Sequence, residues 1–198
     1  SRNVLPFRSN GSPGSSGGSA VSIGRSSSGS TRTRGGSFAN TPAAACGDGS
    51  EFRFYSRTAD PEKVVLFFQG GGACFSLGTC DPADPSYLTV ASGLQATDSN
   101  AGVFAFDNPD NPFRDWSFVF VPYCTGDIHI GNATHTYAEG ITVNHKGFVN
   151  ASAALDELVA SFPDAAEVVV TGSSAGGVPS PMFGGLVSDE LPDAAVTV

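Results

Sequence analysis

Lysine is scarce in this 198-residue chain, and acidic residues are missing from its first part. Only two lysines occur, and residues 1–45 hold five arginines but no aspartate or glutamate. Residues 46–198 hold all 19 acidic residues against five basic ones, a formal net charge of −14. Because nucleic-acid binding depends on cationic contacts with phosphates, we expect no nucleic-acid partner.

Long apolar runs are missing as well. No stretch reaches the roughly 18 apolar residues that a membrane-spanning helix needs, so we expect no membrane span. The chain begins at Ser1 without the charged-then-apolar pattern of a signal peptide. We therefore expect that any such peptide was removed or never included. A length of 198 residues predicts one sizeable core rather than two.

Serine, glycine, arginine and threonine dominate residues 8–37. Such a composition buries too little apolar surface to offset the entropy of ordering, so residues 1–45 are predicted to be a disordered leader or linker. A polar tail that binds a partner through its arginines is the alternative. The folded domain is then predicted to occupy residues 46–198.

Continuous apolar runs predict strands covered on both faces, at residues 63–68, 117–124 and 167–171. Weaker patterns predict strands at 51–56 and from residue 194 onward, and a polar loop at 125–140. The strands and the helices together predict an α/β fold with a parallel sheet, whose next strands should follow the end of this chain.

Residues 145–162 place apolar side chains on one helical face before Pro163, which predicts a long amphipathic helix. A second helix is predicted at 181–191, and a short one at 86–95. These helices are expected to pack on the sheet.

The stretch EVVVTGSSAGG (167–177) ends an apolar run in the pattern G-x-S-x-G, centred on Ser174. In a nucleophile elbow of this pattern, small residues two before and two after the serine let the backbone turn sharply. Gly172 and Gly176 occupy those positions, and a predicted helix follows. We therefore predict that Ser174 is a nucleophile, the alternative being that SSAGG is only a tight turn.

A glycine triplet follows the strand at 63–68, within FFQGGGACF (67–75). Such a loop leaves backbone N–H groups free to bind an anion, and in α/β-hydrolases it completes the oxyanion hole. A phosphate cradle is the rival interpretation, but no lysine follows, and Phe75 replaces the last glycine of G-x-G-x-x-G. Because an elbow needs a loop of this kind, the two weak motifs together favour an acyl hydrolase.

Five segments of the folded region resemble the pectin acetylesterase/Notum family, and most of all its bacterial members. They are CGDGSEFRFY (46–55), VVLFFQGGGACFSLGTC (64–80), WSFVFVPYCTGDIHIGN (116–132), HKGFVNASAALDEL (145–158) and VVVTGSSAGGVPSPMFGGLVSDELPDA (168–194). The resemblance implies an α/β-hydrolase-like parallel sheet flanked by helices and truncated at its C-terminal side. It also implies carboxylesterase activity through a Ser-His-Asp triad, and export with disulfides.

By position, the resemblance makes Ser174 the nucleophile and places the N–H groups of Gly71, Gly72 and Ala175 in the oxyanion hole. An aromatic residue often occupies the place of Gly72 in eukaryotic relatives, so one wall of the pocket is expected to be more open here.

Two features depart from the family pattern. Pro179 and Pro181 fall in the first turns after the nucleophile, where their missing N–H groups predict a loosened turn or a helix that begins later. The family order is serine, acid, histidine, yet no histidine follows Ser174. We therefore expect this chain to be the N-terminal half of a longer enzyme whose downstream residues supply the histidine and aspartate.

All the histidines precede the elbow. His129 and Asp127 follow the strand at 117–124, at the sheet edge where the elbow is expected, which makes them candidates for lining the site. An ordinary loop histidine is the alternative. His145 is expected to open the long helix in a structural role.

The cysteines are Cys46, Cys74, Cys80 and Cys124, without C-x-x-C spacing or histidine-rich surroundings. This pattern favours two disulfides over a zinc site, and four buried thiols in a cytosolic protein are the alternative. Cys74 and Cys80 would close a small loop behind the oxyanion strand, and by elimination Cys46 would pair with Cys124.

These observations predict a secreted or periplasmic serine carboxylesterase that removes short acyl groups, such as acetyl, from a carbohydrate such as pectin or from another small ester. No cofactor or metal is expected, because the acidic turns at 81–86 and 107–112 lack EF-hand spacing. The alternatives are an inactive extracellular binding module of the same fold and a serine hydrolase for lipid or amide bonds. The 198 residues alone are expected to be inactive and marginally folded, and the oligomeric state is left open.

Overall fold

The computed structural model describes residues 23–25, 44–91 and 101–198. Within them, a six-stranded sheet and a two-stranded hairpin form. The sheet comprises β1 (Ile23–Arg25), β2 (Arg53–Arg57), β3 (Asp60–Phe68), β4 (Trp116–Val121), β7 (Glu167–Gly172) and β8 (Ala195–Thr197). The hairpin comprises β5 (Ala133–Ala138) and β6 (Ile141–His145), and the α-helices are α1 (Leu77–Cys80), α2 (Gly147–Ser161) and α3 (Ser180–Glu190).

The strand order β1-β2-β4-β3-β7-β8 places β3 at the centre of the parallel part of the sheet. β3 pairs in parallel with β4 on one side and with β7 on the other, and β8 pairs in parallel with β7. β2 runs antiparallel to β4. The predicted α/β fold with a parallel sheet is therefore confirmed, with antiparallel pairing of β2 to its neighbours.

The central strands read as continuous apolar runs because both of their faces are covered. Val64 and Leu66 join the core that the sheet shares with α2 and α3, whereas Val65 lies in a second core on the opposite face. The second core is mainly aromatic, and its buried rings are those of Phe104, Phe118 and Phe120.

Helix α2 follows from its apolar spacing. Ala151, Leu155 and Leu158 are buried on one face, and the helix ends at Ser161, two residues before Pro163. It begins two residues later than predicted because His145 is the last residue of β6, so the expectation that His145 opens the helix is wrong. None of the helices in the described ranges is long and apolar enough to cross a bilayer.

Three segments differ from the expected local structure. Most of the predicted leader lies outside the described residues, but Ile23–Arg25 pairs antiparallel with β2 and forms an edge strand of the sheet. The predicted helix at 86–95 is wrong for residues 86–91, which are not helical, and residues 92–100 lie outside the description. The predicted loop at 125–140 contains β5, the first strand of the hairpin.

Parallel pairing brings three chain segments to one edge of the sheet. Phe68, the last residue of β3, pairs with Val121 at the end of β4 and with Gly172 at the end of β7. The glycine triplet, the segment after β4 and the predicted elbow therefore start side by side. Ligand sites of open α/β sheets lie at this carboxyl edge.

Both predicted disulfides are confirmed, as Cys46–Cys124 and Cys74–Cys80, so the alternative of four free thiols is wrong. The first joins the segment before β2 to the segment after β4. The second closes a short loop directly after the glycine triplet. Both therefore brace segments that reach the carboxyl edge.

Candidate active site

Ser174 has a backbone conformation that serine rarely adopts. Its φ is +49°, in the left-handed region, and it begins a 3₁₀ turn, Ser174–Gly176, between β7 and α3. The residue is exposed. A strained, exposed serine between a parallel strand and a helix has the conformation of a nucleophile elbow.

Gly172 and Gly176 are required because the elbow packs tightly on the end of β3. A Cβ on Gly176 would collide with the carbonyl oxygen of Phe68, and a Cβ on Gly172 would lie 2.6 Å from the same oxygen. Real Cβ atoms essentially never approach so closely. A larger residue at either position would therefore push the elbow away from the strand.

The helix after the elbow begins late, as the prolines predicted. A single 3₁₀ turn follows Ser173, and α3 starts only at Ser180, with Pro181 in its first turn. The first N–H groups of a helix have no partner within the helix, so proline is tolerated there. The delay leaves Ser174 in a turn of its own rather than in a regular helix.

The glycine triplet lies directly against the elbow. Gly70 N–H donates a hydrogen bond to Ser173 Oγ at 3.1 Å, and a Cβ on Gly70 would lie 2.9 Å from the Cβ of Ser174. Gly72 adopts a φ of +80°, which a residue with a side chain would adopt only under strain. Glycine is therefore needed at both ends of the triplet, and its backbone borders the serine.

Three N–H groups of the glycine triplet and the elbow have no acceptor within the part of the chain that the structure describes. Within the described residues, Gly71, Gly72 and Ala175 donate no backbone hydrogen bond. These are the groups that the sequence predicted for an oxyanion hole. Unpaired donors around a nucleophile can bind the negative oxygen of a tetrahedral intermediate.

The segment around Tyr87 lies against the triplet, next to the position where relatives often carry an aromatic residue. Gly72 bridges to Tyr87, Leu88 N–H donates to Gly71 C=O at 2.9 Å, and a Cβ on Gly72 would collide with the carbonyl oxygen of Ser86. The backbone of Ser86 thus occupies space that a side chain at position 72 would need. Whether the pocket is more open at this wall than in eukaryotic relatives stays a prediction.

His129 and Asp127 come close to the triplet but lie beneath it. His129 is 1 % exposed, and its Nε2 lies 2.9 Å from the carbonyl oxygen of Gln69. Burial lowers its pKa to about 4, so the imidazole is neutral near pH 7. A side chain so enclosed has almost no surface to offer a substrate, and its contact is with the loop.

Tyr123 and Gln69 also belong to this region, although no sequence pattern marked either of them. Tyr123 is completely buried, its hydroxyl accepts from Ile128 N–H at 2.8 Å, and its own N–H donates to Gln69 Oε1 at 3.0 Å. Gln69 precedes the triplet in the sequence, but Tyr123 is 54 residues away from it. Only the pairing of β3 with β4 brings them together.

The hydroxyl of Ser174 has no hydrogen-bond partner among the described residues. His129 bonds to Gln69, and His145 bonds to Thr125 C=O and to the hydroxyl of Tyr137. His135 lies exposed on β5. The structure thus places Ser174 beside the glycine triplet, and none of the three histidines forms a hydrogen bond to its hydroxyl.

The family model for pectinacetylesterases matches residues 37–198. The chain belongs to the pectinacetylesterase family. It is 29% identical over 166 residues to pectin acetylesterase 5 of Arabidopsis thaliana, covering 81% of this chain and 39% of that protein. It is 30% identical over 146 residues to palmitoleoyl-protein carboxylesterase notum2 of Xenopus laevis, covering 71% of this chain and 29% of that protein.

The fold agrees with this assignment. The structure of the Wnt deacylase Notum from Drosophila superposes with a TM-score of 0.57 at 22% identity, over 80% of this chain and 49% of that one. The α/β-hydrolase-like fold implied by the sequence is therefore confirmed. The chain spans between about a third and a half of the length of these proteins.

A cavity of about 310 Å³ adjoins the site of this pectinacetylesterase-family chain. The aromatic rings of Phe67, Phe104 and Phe120 line it, together with Gly70 and Ser173. It therefore opens beside the elbow, on the sheet face that carries the aromatic core.

Proposed function

We propose that this chain carries the nucleophile and the oxyanion hole of a serine carboxylesterase. The observation that carries the proposal is the left-handed Ser174 beside the glycine triplet. Three N–H groups of the triplet and the elbow donate no hydrogen bond among the described residues. Membership of the pectinacetylesterase family supports the same reaction class. The proposed substrate is an acylated carbohydrate such as pectin, with acetyl as the group removed.

In the proposed mechanism, Ser174 Oγ attacks the ester carbonyl while a histidine takes its proton. The negative oxygen of the tetrahedral intermediate is bound by the N–H groups of Gly71, Gly72 and Ala175, each worth about 3 kcal/mol where donors are preorganised. Collapse of the intermediate expels the sugar alcohol, and water then hydrolyses the acyl-enzyme.

The histidine and its orienting acid are proposed to come from residues outside these 198. This accords with the absence of any histidine contact to Ser174 in the described residues and with the short span of the chain relative to its relatives. The two disulfides favour an oxidising location, so we propose a secreted or periplasmic enzyme.

The nucleophile is tested by Ser174→Ala in a protein extended through its downstream reading frame. The variant should lose hydrolysis of p-nitrophenyl acetate and labelling by a fluorophosphonate probe. Ser188→Ala is the matched control, since Ser188 is exposed on α3 and its hydroxyl bonds to Gly184 C=O of the same helix. Full labelling of Ser174→Ala would remove the serine from its role.

The source of the base is tested by comparing the 198-residue chain with the extended protein. Without a base, an oxyanion hole and substrate binding retain only a residual acceleration, on the order of 10³-fold over water. The short chain should therefore hydrolyse acetyl esters several orders of magnitude more slowly. Equal turnover by the two proteins would contradict the proposed triad.

A further inference from the structure

The turn at Ile128 and His129 carries unusual backbone strain. Their φ angles are +51° and +60°, and left-handed conformations are rare for residues with side chains, above all for β-branched isoleucine. Such strain persists only where the surroundings enforce it, and it concentrates at functional sites. This turn lies beside the start of the glycine triplet, so the strained residues are placed to hold that loop in position.

Hydrogen bonds to Asp127 and Tyr123 enforce the turn. Asp127 Oδ1 accepts from Thr125 Oγ1 at 2.6 Å and from His129 N–H at 3.2 Å, and its Oδ2 accepts from Gly147 N–H at 2.7 Å. The Tyr123 hydroxyl accepts from Ile128 N–H. Both strained residues therefore have their N–H groups bound.

The turn presents the imidazole of His129 to the start of the triplet. Because the Gln69 carbonyl can only accept, Nε2 of His129 must carry the proton of their 2.9 Å hydrogen bond. The ring packs against Phe68 and Tyr123, with centroids 5.2 and 4.8 Å away, which leaves it little freedom to rotate.

The carbonyl of Gln69 and the N–H of Gly70 belong to one peptide plane, and that plane is held from both sides. His129 binds its carbonyl, and Ser173 Oγ, next to the nucleophile, accepts from its N–H. Peptide groups are rigid, so two such bonds fix the direction in which the chain continues. The glycines that follow have no side chains with which to fix their own orientation.

We propose that His129 is a positioning residue that aims the oxyanion-hole N–H groups by fixing the Gln69–Gly70 peptide, and that Asp127 holds the strained turn that delivers it. The inference rests on the proposed esterase function. In this proposal His129 and Asp127 do not line the substrate site but hold the backbone of the glycine triplet in position.

The test compares His129→Gln, whose amide can donate at a similar reach, with His129→Met, which fills similar space without a donor. In the extended enzyme, His129→Met should lower kcat for p-nitrophenyl acetate about 10- to 100-fold with KM within about twofold, because misplaced groups act on the transition state. His129→Gln should recover most of that loss. A trifluoromethyl ketone should bind His129→Met more weakly in proportion to the loss in kcat/KM.

Asn150→Leu is the matched control for a lost buried hydrogen bond. Asn150 is 2 % exposed, and its side chain bonds to the backbone of Ala45 rather than to the triplet. Asn150→Leu should lower the melting temperature of the enzyme and leave kcat unchanged. A His129→Met enzyme that is less stable but has normal kcat, or a His129→Gln enzyme as slow as His129→Met, would overturn the proposal.

Failure of the esterase function itself would be recognised separately. A wild-type enzyme without hydrolysis or fluorophosphonate labelling would refute the proposed function. Amide hydrogen exchange would then test separately whether His129 fixes the Gln69–Gly70 peptide. His129→Met should speed exchange at Gly70 more than tenfold, whereas Asn150→Leu should not. Unchanged exchange at Gly70 in His129→Met would overturn the inference.

Discussion

Removing the two disulfides separately should separate folding stability from catalysis. Cys46–Cys124 joins residues 78 positions apart, whereas Cys74–Cys80 joins residues only six apart. The longer crosslink restricts far more of the unfolded chain. The shorter one lies directly after the glycine triplet, where it constrains the folded site.

The expected magnitudes follow from loop length. In the chain-entropy relation, a closed loop of this longer size stabilises the fold by about 4.5 kcal/mol, and the shorter one by about 2 kcal/mol. The short loop has a second tie to the site, because Cys74 N–H donates to Gly126 C=O at 2.7 Å. Its removal should therefore loosen the triplet more than the fold.

The assay is urea unfolding together with steady-state kinetics of two double variants in the extended enzyme. Cys46→Ala/Cys124→Ala should lose about 4.5 kcal/mol of unfolding free energy and keep kcat per folded molecule within about twofold. Cys74→Ala/Cys80→Ala should lose about half as much stability but several-fold in kcat. A reversed order of stability losses, or a normal kcat in the second variant, would refute the reasoning.

Three further predictions concern single groups and charge. Gly72→Ala should lower kcat more than tenfold because its Cβ would meet the Ser86 carbonyl at a φ of +80°, and an unchanged kcat would contradict this. The unfolding free energy should fall by up to about 3 kcal/mol as the pH drops from about 6.5 to 4. The reason is that burial lowers the pKa of His129 to about 4, so the unfolded chain takes up the proton at a higher pH than the folded one. His129→Gln should lack this pH dependence in urea titrations. The net charge of −14 over residues 46–198 should repel acidic polysaccharides, so added salt should lower KM for acetylated polygalacturonate but not for a neutral acetyl ester; equal responses would argue against it.

The elbow and the triplet could be predicted from the sequence because each glycine answers a local requirement. Gly172 and Gly176 allow close approach to β3, and Gly72 adopts a positive φ. Such requirements show in the sequence as a glycine at a single position next to an apolar run. The parallel strands were predictable for the same reason, since strands buried on both faces read as unbroken apolar segments.

The β5–β6 hairpin was not predictable in this way. The first four residues of β5 are exposed, so no apolar alternation marks the strand. It is held by polar pairs instead, with the hydroxyls of Thr136 and Thr142 2.9 Å apart and Thr134 Oγ1 bonded to Asn144 at 2.9 Å. A pattern of hydrophobicity carries no information about such pairs.

The position of His129 at this edge was predicted, but its contacts with Gln69 and Tyr123 were not, because these residues meet only through the register of β3 and β4. Among the described residues, the non-glycine positions with positive φ are Ile128, His129 and Ser174, all at the carboxyl edge of the sheet. Among the described residues, strain at non-glycine positions is confined to this edge, on both sides of one glycine triplet, which accords with the proposal that reacting groups are aimed there.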